Sequence, residues 1–374
     1  MTKRTNVPFR NDIVGSFLRP LELKNAKEDY IKGKITLEEL TKIQNKCIEE
    51  LVKKEKEVGL KSVTDGEFTR SWWHLDFMWG LGGVKKKELE KGYQFKDEET
   101  RAETASLEGK VEYNENHPFF ESYQFLHKTA LNNDVLPRQT IPAPAQFFAE
   151  LQRPDNASEV KKYYNDTNKL IEDIASAYNK TILKFYELGC RNIQLDDCTW
   201  GMLCDKNAVK LIGLSEEEVT KTAKLYVELN NKAIENLPED LIITTHVCRG
   251  NYHSTYASEG GYEPIAQILF KEENVKAFYL EFDDERSGGF EPLRFVPKDK
   301  FVVLGLITSK KGILEDKEAI KKRIKEATKY IDLDNLCLSP QCGFASTEEG
   351  NILTEENQWE KLKLIEEIAK EVWK

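Results

Sequence analysis

Short apolar runs, most of them rich in β-branched residues, recur along the chain, and after most of them the apolar positions return every three or four residues. The runs lie at 12–17, 60–67, 140–147, 191–198, 241–248, 277–282, 301–307 and 335–343. Such a run is expected of a strand buried on both faces, and the helical spacing that follows is expected of an amphipathic helix. Strands alternating with helices pair in parallel. Eight units of this kind predict an α/β fold of the (β/α)8 type, a TIM barrel, with residues 1–374 as a single domain. Thr36, Ser158, Ser215 and Thr354 are each followed by acidic residues, a pattern that suits the exposed amides and positive end of a helix's first turn. The run at 140–147 contains Pro142 and Pro144. Neither donates to a ladder, so it is retained as a strand with proline at its end.

One stretch breaks the alternation. Residues 68–138 hold the aromatic cluster Trp72, Trp73 and His74, a glycine-rich tract and a charge-rich segment. They are expected to form an insertion between strands two and three that walls or covers the barrel mouth, as a lid. Most of its aromatics are expected to pack it against the barrel.

Composition narrows the partners. A net charge of −10 and a pI near 5.4 argue against nucleic acid or an anionic membrane surface. No apolar run is long enough to span a bilayer, and the first residues lack the apolar core of a secretory signal. The expected location is therefore cytoplasmic and the expected partner a small molecule. Seven irregularly spaced cysteines then read as reduced thiols, free to bind metal. Oligomeric state is not legible in the composition.

In a parallel barrel the reactive residues collect where the C-terminal ends of the strands meet the loops. Those ends carry Gly15 and Ser16, Asp65 and Glu67, Asp196 and Asp197, His246 and Cys248, Glu281, and Cys342. Residues i and i+2 of a strand face the same way, so His246 and Cys248 look at one point, and Cys342 brings a third donor from another strand. Histidine with two thiolates is a donor set for Zn2+ that leaves one position open. Taken alone, the His-x-Cys pair also fits buried small thiols beside a hydrogen-bonded core histidine. The gathering of unusual residues at one end of the strands favours the metal centre.

In this order, the motifs VGSF, DGE, IQLDD, THVC, LEF and SPQCG resemble the catalytic barrel of the cobalamin-independent methionine synthases, and more closely their short single-barrel relatives. The resemblance covers nearly the whole chain. It implies a TIM barrel with zinc held by His246, Cys248, Glu281 and Cys342. It also implies that Gly15, Ser16, Glu67 and Asp196 bind the amino-acid end of homocysteine, with Glu67 and Asp196 the acids nearest the chemistry. The implied reaction is methyl transfer to the homocysteine thiol to form methionine, with 5-methyltetrahydrofolate as the family's donor. Glu285 is the alternative to Glu281, while Asp65 and Asp197 are expected to be structural.

Where the family carries a histidine after strand seven, this chain has Thr308, Ser309, Lys310 and Lys311, the lysines reading most simply as a solvated pair. Phe147 or Phe148 is expected where the family packs tryptophan on the donor. His117, His127 and His253 are weaker candidates, and the loop after strand five is suited to closing over a ligand. Two other functions fit the same residues: a zinc alkyltransferase for a different small thiol, and a non-catalytic relative that binds zinc and homocysteine.

Overall fold

The computed structural model describes residues 5–374. Its strands are β1 Ser62–Val63, β2 Gly82–Glu88, β3 Gln94–Phe95, β4 Glu98–Glu99, β5 Glu103–Glu112, β6 Leu136–Pro137, β7 Gln139–Pro142, β8 Asn192–Asp197, β9 Ile242–Val247, β10 Ala277–Glu281, β11 Phe301–Ile307 and β12 Leu336–Pro340. Strands β7 to β12 form one sheet in sequence order, each pair of neighbours parallel. Helices Thr167–Glu187, Glu216–Ala233, Ala266–Glu272 and Lys317–Ala327 alternate with these strands, except that only the 3-10 turns Glu285–Ser287 and Glu291–Phe295 join β10 to β11, and Glu355–Val372 follows the last. The architecture is α/β with a parallel sheet, as the alternation predicts.

Every residue of β7 to β12 except Ile242 and Phe301 is buried. Burying one Val, Leu, Ile or Phe side chain contributes roughly 1.5–3 kcal/mol, so the doubly covered apolar runs are the main support of the sheet. The two N-terminal runs contribute less ladder than their apolar patterns suggest. The run at 12–17 is preceded by a single parallel bridge, Asn11 to Leu338, and the run at 60–67 keeps only β1, paired with β6. The physical reason is local: Gly15, Gly66 and Glu67 take φ values of +144°, +64° and +63°, which interrupt extended backbone.

Side chains tie these segments in instead. The Asp12 carboxylate lies 3.0 Å from the Arg138 guanidinium, which donates to the Tyr279 hydroxyl at 2.7 Å, and that hydroxyl donates back to Asp12 at 3.0 Å. The Thr64 hydroxyl donates to the Gly15 carbonyl at 2.5 Å.

Two local expectations need correction. The run at 140–147 is a strand only as far as Pro142; Pro144 then opens the helix Pro144–Leu151. At that position the missing proline N–H removes no helical bond, and its fixed φ suits the first turn. Ser158 lies inside helix Ala157–Tyr163 and donates to Glu159 at 2.6 Å rather than capping it. Thr36, Ser215 and Thr354 do cap their helices, accepting from the amides of Glu39, Glu218 and Asn357.

Between β1 and β6 the chain builds the helix Leu75–Trp79, an antiparallel pair β2–β5, the short pair β3–β4 and the helix Phe119–Asn132. This segment is laced to later loops: the Trp73 amide donates to the Ser346 carbonyl at 2.9 Å and the Lys96 amide to the Tyr256 carbonyl at 2.9 Å. No helix among the described residues is long and apolar enough to cross a membrane.

Candidate functional site

The register of the sheet sets the site. Asp196 on β8 is the lateral neighbour of His246 on β9, and Tyr279 on β10 lies on the other side of His246. Cys248 follows β9 by one residue, and Cys342 follows β12 by two. The candidate donor atoms of His246, Cys248 and Cys342 all lie within 4.8 Å of one another, and the two sulfurs are 3.6 Å apart. All three residues are buried, and neither ring nitrogen of His246 has a hydrogen-bond partner. Buried polar atoms are normally satisfied. An imidazole left without partners beside two converging thiols is what a cation-binding site requires, so the donor set fits zinc on chemistry as well as position.

Electrostatics concentrate negative charge on one sulfur. Hydrogen bonds from Cys198 and Cys342 outweigh burial and hold the Cys248 thiol well below its ordinary pKa, while the thiols of Cys198 and Cys342 are pushed up. At His246 burial opposes the charged ring. The neighbouring Cys248, with Asp196 and Glu281 behind it, nevertheless raises its pKa. Cys198 was not foreseen as a site residue. The signal was available, because Cys198 stands two residues after Asp196 as Cys248 does after His246.

A cavity of about 510 Å³ opens beside these groups and is lined by Ser16, Glu67, Asp196, Cys198, His246, Cys248 and Cys342 among others. Glu67 is buried, and one of its carboxylate oxygens accepts from Arg70 and from Thr140, each at 3.1 Å. The other oxygen has no partner. Burial raises the Glu67 pKa against the pull of Arg70 and Arg19. Asp196 accepts from Gln194 at 2.8 Å; burial, and the nearby Glu67 carboxylate, raise it to about 7 although His246 opposes the shift. The Ser16 hydroxyl accepts from the Ala345 amide at 3.3 Å. A Cβ on Gly343 would stand 1.9 Å from that hydroxyl, so glycine is needed there for Ser16 to keep its place.

Gly15 does not line the cavity. Its carbonyl is held by Thr64, and its backbone turns the chain into Ser16. Asp65 and Asp197 hold their own loops: Asp65 accepts from the Glu67 amide at 2.9 Å, and Asp197 accepts from the Thr199 amide at 2.9 Å and from Asn230 at 3.2 Å.

Glu281 is fully buried but does not join the group of three donors. One oxygen accepts from Arg286 at 2.5 Å and lies 3.5 Å from the Lys310 ammonium; the other accepts from the Arg249 amide at 3.1 Å. Glu285 lies exposed in a 3-10 turn. Lys310 is buried rather than solvated, whereas Lys311 is exposed, so the reading of a solvated pair holds for only one of them.

Phe147 and Phe148 also differ from expectation. They are packed in the core, and their helix turns Gln146 and Ala149 to the cavity instead, since residues three apart share a helix face. The aromatic wall comes from elsewhere: Trp72, Trp73, Tyr93, Phe95, Tyr226 and Tyr252. The remaining histidines lie outside the donor group. His117 contacts the Phe77 carbonyl at 2.9 Å, with burial lowering its pKa to about 4; His127 packs on Tyr123; and His253 pairs with Glu98 at 3.1 Å.

Comparisons with known proteins show the family. The profile described as the catalytic domain of the cobalamin-independent synthases matches residues 156–371. The uncharacterized protein YxjH of Bacillus subtilis (strain 168) is 45% identical over 374 residues, covering 100% of this chain and 97% of its own. A methionine synthase of Saccharolobus solfataricus is 24% identical over 88% of this chain and 86% of its own. Among solved structures, a Listeria monocytogenes protein described as a candidate vitamin-B12-independent methionine synthase is 37% identical, with a TM-score of 0.77 over 99% of this chain and 100% of that one. A B12-independent methionine synthase from Shewanella sp. W3-18-1, in complex with selenomethionine, shares the fold at 20% identity, with a TM-score of 0.69 over 97% of each chain. The chain belongs to the family of cobalamin-independent synthase catalytic domains.

Proposed function

We propose that this protein is a zinc-dependent S-methyltransferase that places a methyl group on the thiol of homocysteine, giving methionine. The observation that carries the reading is the convergence of His246, Cys248 and Cys342 on the wall of a cavity that also presents Glu67 and Asp196. In this reading the eight parallel segments close as a (β/α)8 barrel, and residues 68–138 form the lid over its mouth.

His246, Cys248 and Cys342 would hold the zinc ion, with Glu281 the nearest further donor. When bound there, zinc supplies Lewis acidity that keeps a substrate thiol deprotonated at neutral pH while its sulfur stays nucleophilic. The chain's own residues handle the other end of the substrate. The unpartnered oxygen of Glu67 accepts from the substrate ammonium, and Asp196 provides the second anion. Burial raises the Asp196 pKa, and an arriving ammonium opposes that shift and favours the ionised form. The Ser16 hydroxyl is placed to donate to the substrate carboxylate. Holding both ends fixes the sulfur for in-line attack on the methyl carbon, where the new S–C bond forms as the bond to the donor breaks. The family's donor is 5-methyltetrahydrofolate, whose leaving nitrogen must gain a proton as it departs; this chain has Thr308, Ser309 and Lys310 where the family carries the acid histidine, so the donor is tested rather than assigned.

The test is metal analysis with turnover. The purified protein is expected to carry about one zinc per chain and to form methionine from homocysteine and the methylfolate. A protein that takes up no zinc, or turns over fully after its removal, would overturn the reading.

A further inference from the structure

The two loops that carry the thiols are joined by a pair of buried side-chain amides. Asn251 stands three residues after Cys248, and its Nδ2 donates at 2.7 Å to the carbonyl of Gly343, the residue after Cys342, and at 3.3 Å to the Ser346 hydroxyl. Asn351 donates to the Asn251 Oδ1 at 2.9 Å and to the Ser309 carbonyl at 2.8 Å, while its own Oδ1 accepts from the Ser254 amide at 2.9 Å. Both asparagines are buried. Turning either amide over would set N–H against N–H and oxygen against oxygen, so the network admits a single orientation. A fully satisfied buried network rigidifies what it joins. Here it joins the loops that follow β9, β11 and β12.

The consequence lies at the sulfurs. The Gly250 amide, one residue before Asn251, donates to Cys248 Sγ at 3.2 Å, so the same braced loop holds a donor on that sulfur. Cys248 and Cys342 are 94 residues apart in the chain, yet their sulfurs stand 3.6 Å apart. Two thiolates each about 2.3 Å from one tetrahedral zinc would be roughly 3.8 Å apart. The spacing matches what the ion asks for, and the side-chain link printed between the two loops beyond the sulfurs is this amide pair.

We infer that Asn251 and Asn351 form a brace that sets the separation of the Cys248 and Cys342 sulfurs, and with it the affinity of the metal centre. The inference rests on the proposed metal site and goes beyond it, because neither asparagine is a donor to the ion. Both are positioning residues, acting through the two thiol-bearing loops.

The experiment uses the full chain as wild type, Asn251→Ala and Asn351→Ala. Zinc affinity is measured by competition with a chromophoric chelator. The same proteins are loaded with cobalt(II), whose sulfur charge-transfer absorption counts bound thiolates and whose ligand-field bands report their geometry. Loss of an outer partner of a metal ligand typically costs about 10- to 100-fold in affinity, and both variants are expected to fall in that range with their ligand-field bands displaced. A merely structural role would lower the urea midpoint and leave the cobalt spectrum of the folded protein as it is. If Asn251→Ala does not fold, Asn351→Ala, which leaves the contact to Gly343 in place, carries the test.

A loss of zinc affinity smaller than about tenfold, or a loss with an unchanged cobalt spectrum, would overturn the brace while leaving the metal site standing. A wild-type chain that binds neither ion would overturn the metal site and the brace with it.

Discussion

Replacing Glu67 with Gln changes one charge at nearly constant shape. In the native chain one Glu67 oxygen is occupied by Arg70 and Thr140, and the other is buried without a partner. The Gln carbonyl can keep the first set of contacts. Its amide group then occupies the second position and presents a donor where the proposed reading places a substrate ammonium, itself a donor. A hydrogen bond to a charged group is worth roughly 1.5–3 kcal/mol, so homocysteine affinity should fall about 10- to 150-fold.

A competing effect has to be weighed. Neutralising Glu67 leaves Arg70 with the Thr140 carbonyl at 3.0 Å and Asp65 at 3.9 Å. Breaking a buried ion pair costs roughly 3–5 kcal/mol when the remaining charge is uncompensated. Asp65 supplies compensation here, and the variant also avoids the cost of burying the Glu67 carboxylate, so the chain should fold with a smaller loss. The assay is calorimetric titration of the zinc-loaded protein with homocysteine and with 4-mercaptobutyrate, which has the same thiol and carboxylate but no amine. The variant should bind the amine-free thiol within about threefold of the wild type while losing its preference for homocysteine. Equal weakening of both ligands, or of neither, would refute the assignment of Glu67 to the ammonium.

Three further outcomes follow from the same structure. Cys248→Ser and Cys342→Ser should each reduce zinc from about one per chain to a small fraction under a moderate chelator, measured by elemental analysis after dialysis, because a neutral hydroxyl replaces a thiolate ligand; retention equal to the wild type would count against the site. Gly343→Ala, whose Cβ would collide with the Ser16 hydroxyl, should weaken homocysteine binding more than zinc binding, and an unchanged ligand affinity would show that Ser16 is not needed. Glu273 is fully buried, accepts from Asn230 at 3.1 Å and has a pKa raised to about 8, chiefly by burial and then by Asp197. Between the ordinary carboxylate range and about 8 the folded chain holds a proton that the unfolded chain has released, so this group's contribution to stability falls as pH rises through that window and levels off above it. The slope is at most about 1.4 kcal/mol per pH unit. Glu273→Gln should flatten the decline in urea midpoint between pH 6 and 8; an identical decline in both proteins would contradict the assignment.

Much of the candidate site was legible in the sequence. His246 and Cys248 share a face because a strand repeats every two residues, and that period belongs to the backbone itself. The ordered strands and the caps at Thr36, Ser215 and Thr354 were legible for the same reason, since each depends on residues adjacent in the chain. Cys342 could be added because parallel strands bring their C-terminal ends to one side. Cys198 obeyed the same two-residue rule from Asp196 and was overlooked.

What the chain's order did not reveal was which distant surface each residue would meet. Ser158 and Pro144 show how a one- or two-residue shift in a helix start changes a residue's role. Phe147 and Phe148 carry the chemistry of an aromatic wall, yet the direction of their helix face depends on where helix Pro144–Leu151 packs, and it sends them into the core. Lys310 and Lys311 are chemically equivalent neighbours, but one is buried against Glu281 and the other is in water. The partners of Glu281, Arg286 and Lys310 converge from separate loops, and the energy of a buried charge depends on those partners more than on its neighbours in sequence. Local periodicity determined which residues could share a face; only tertiary packing decided which carboxylates would be paired and which donors would remain without partners.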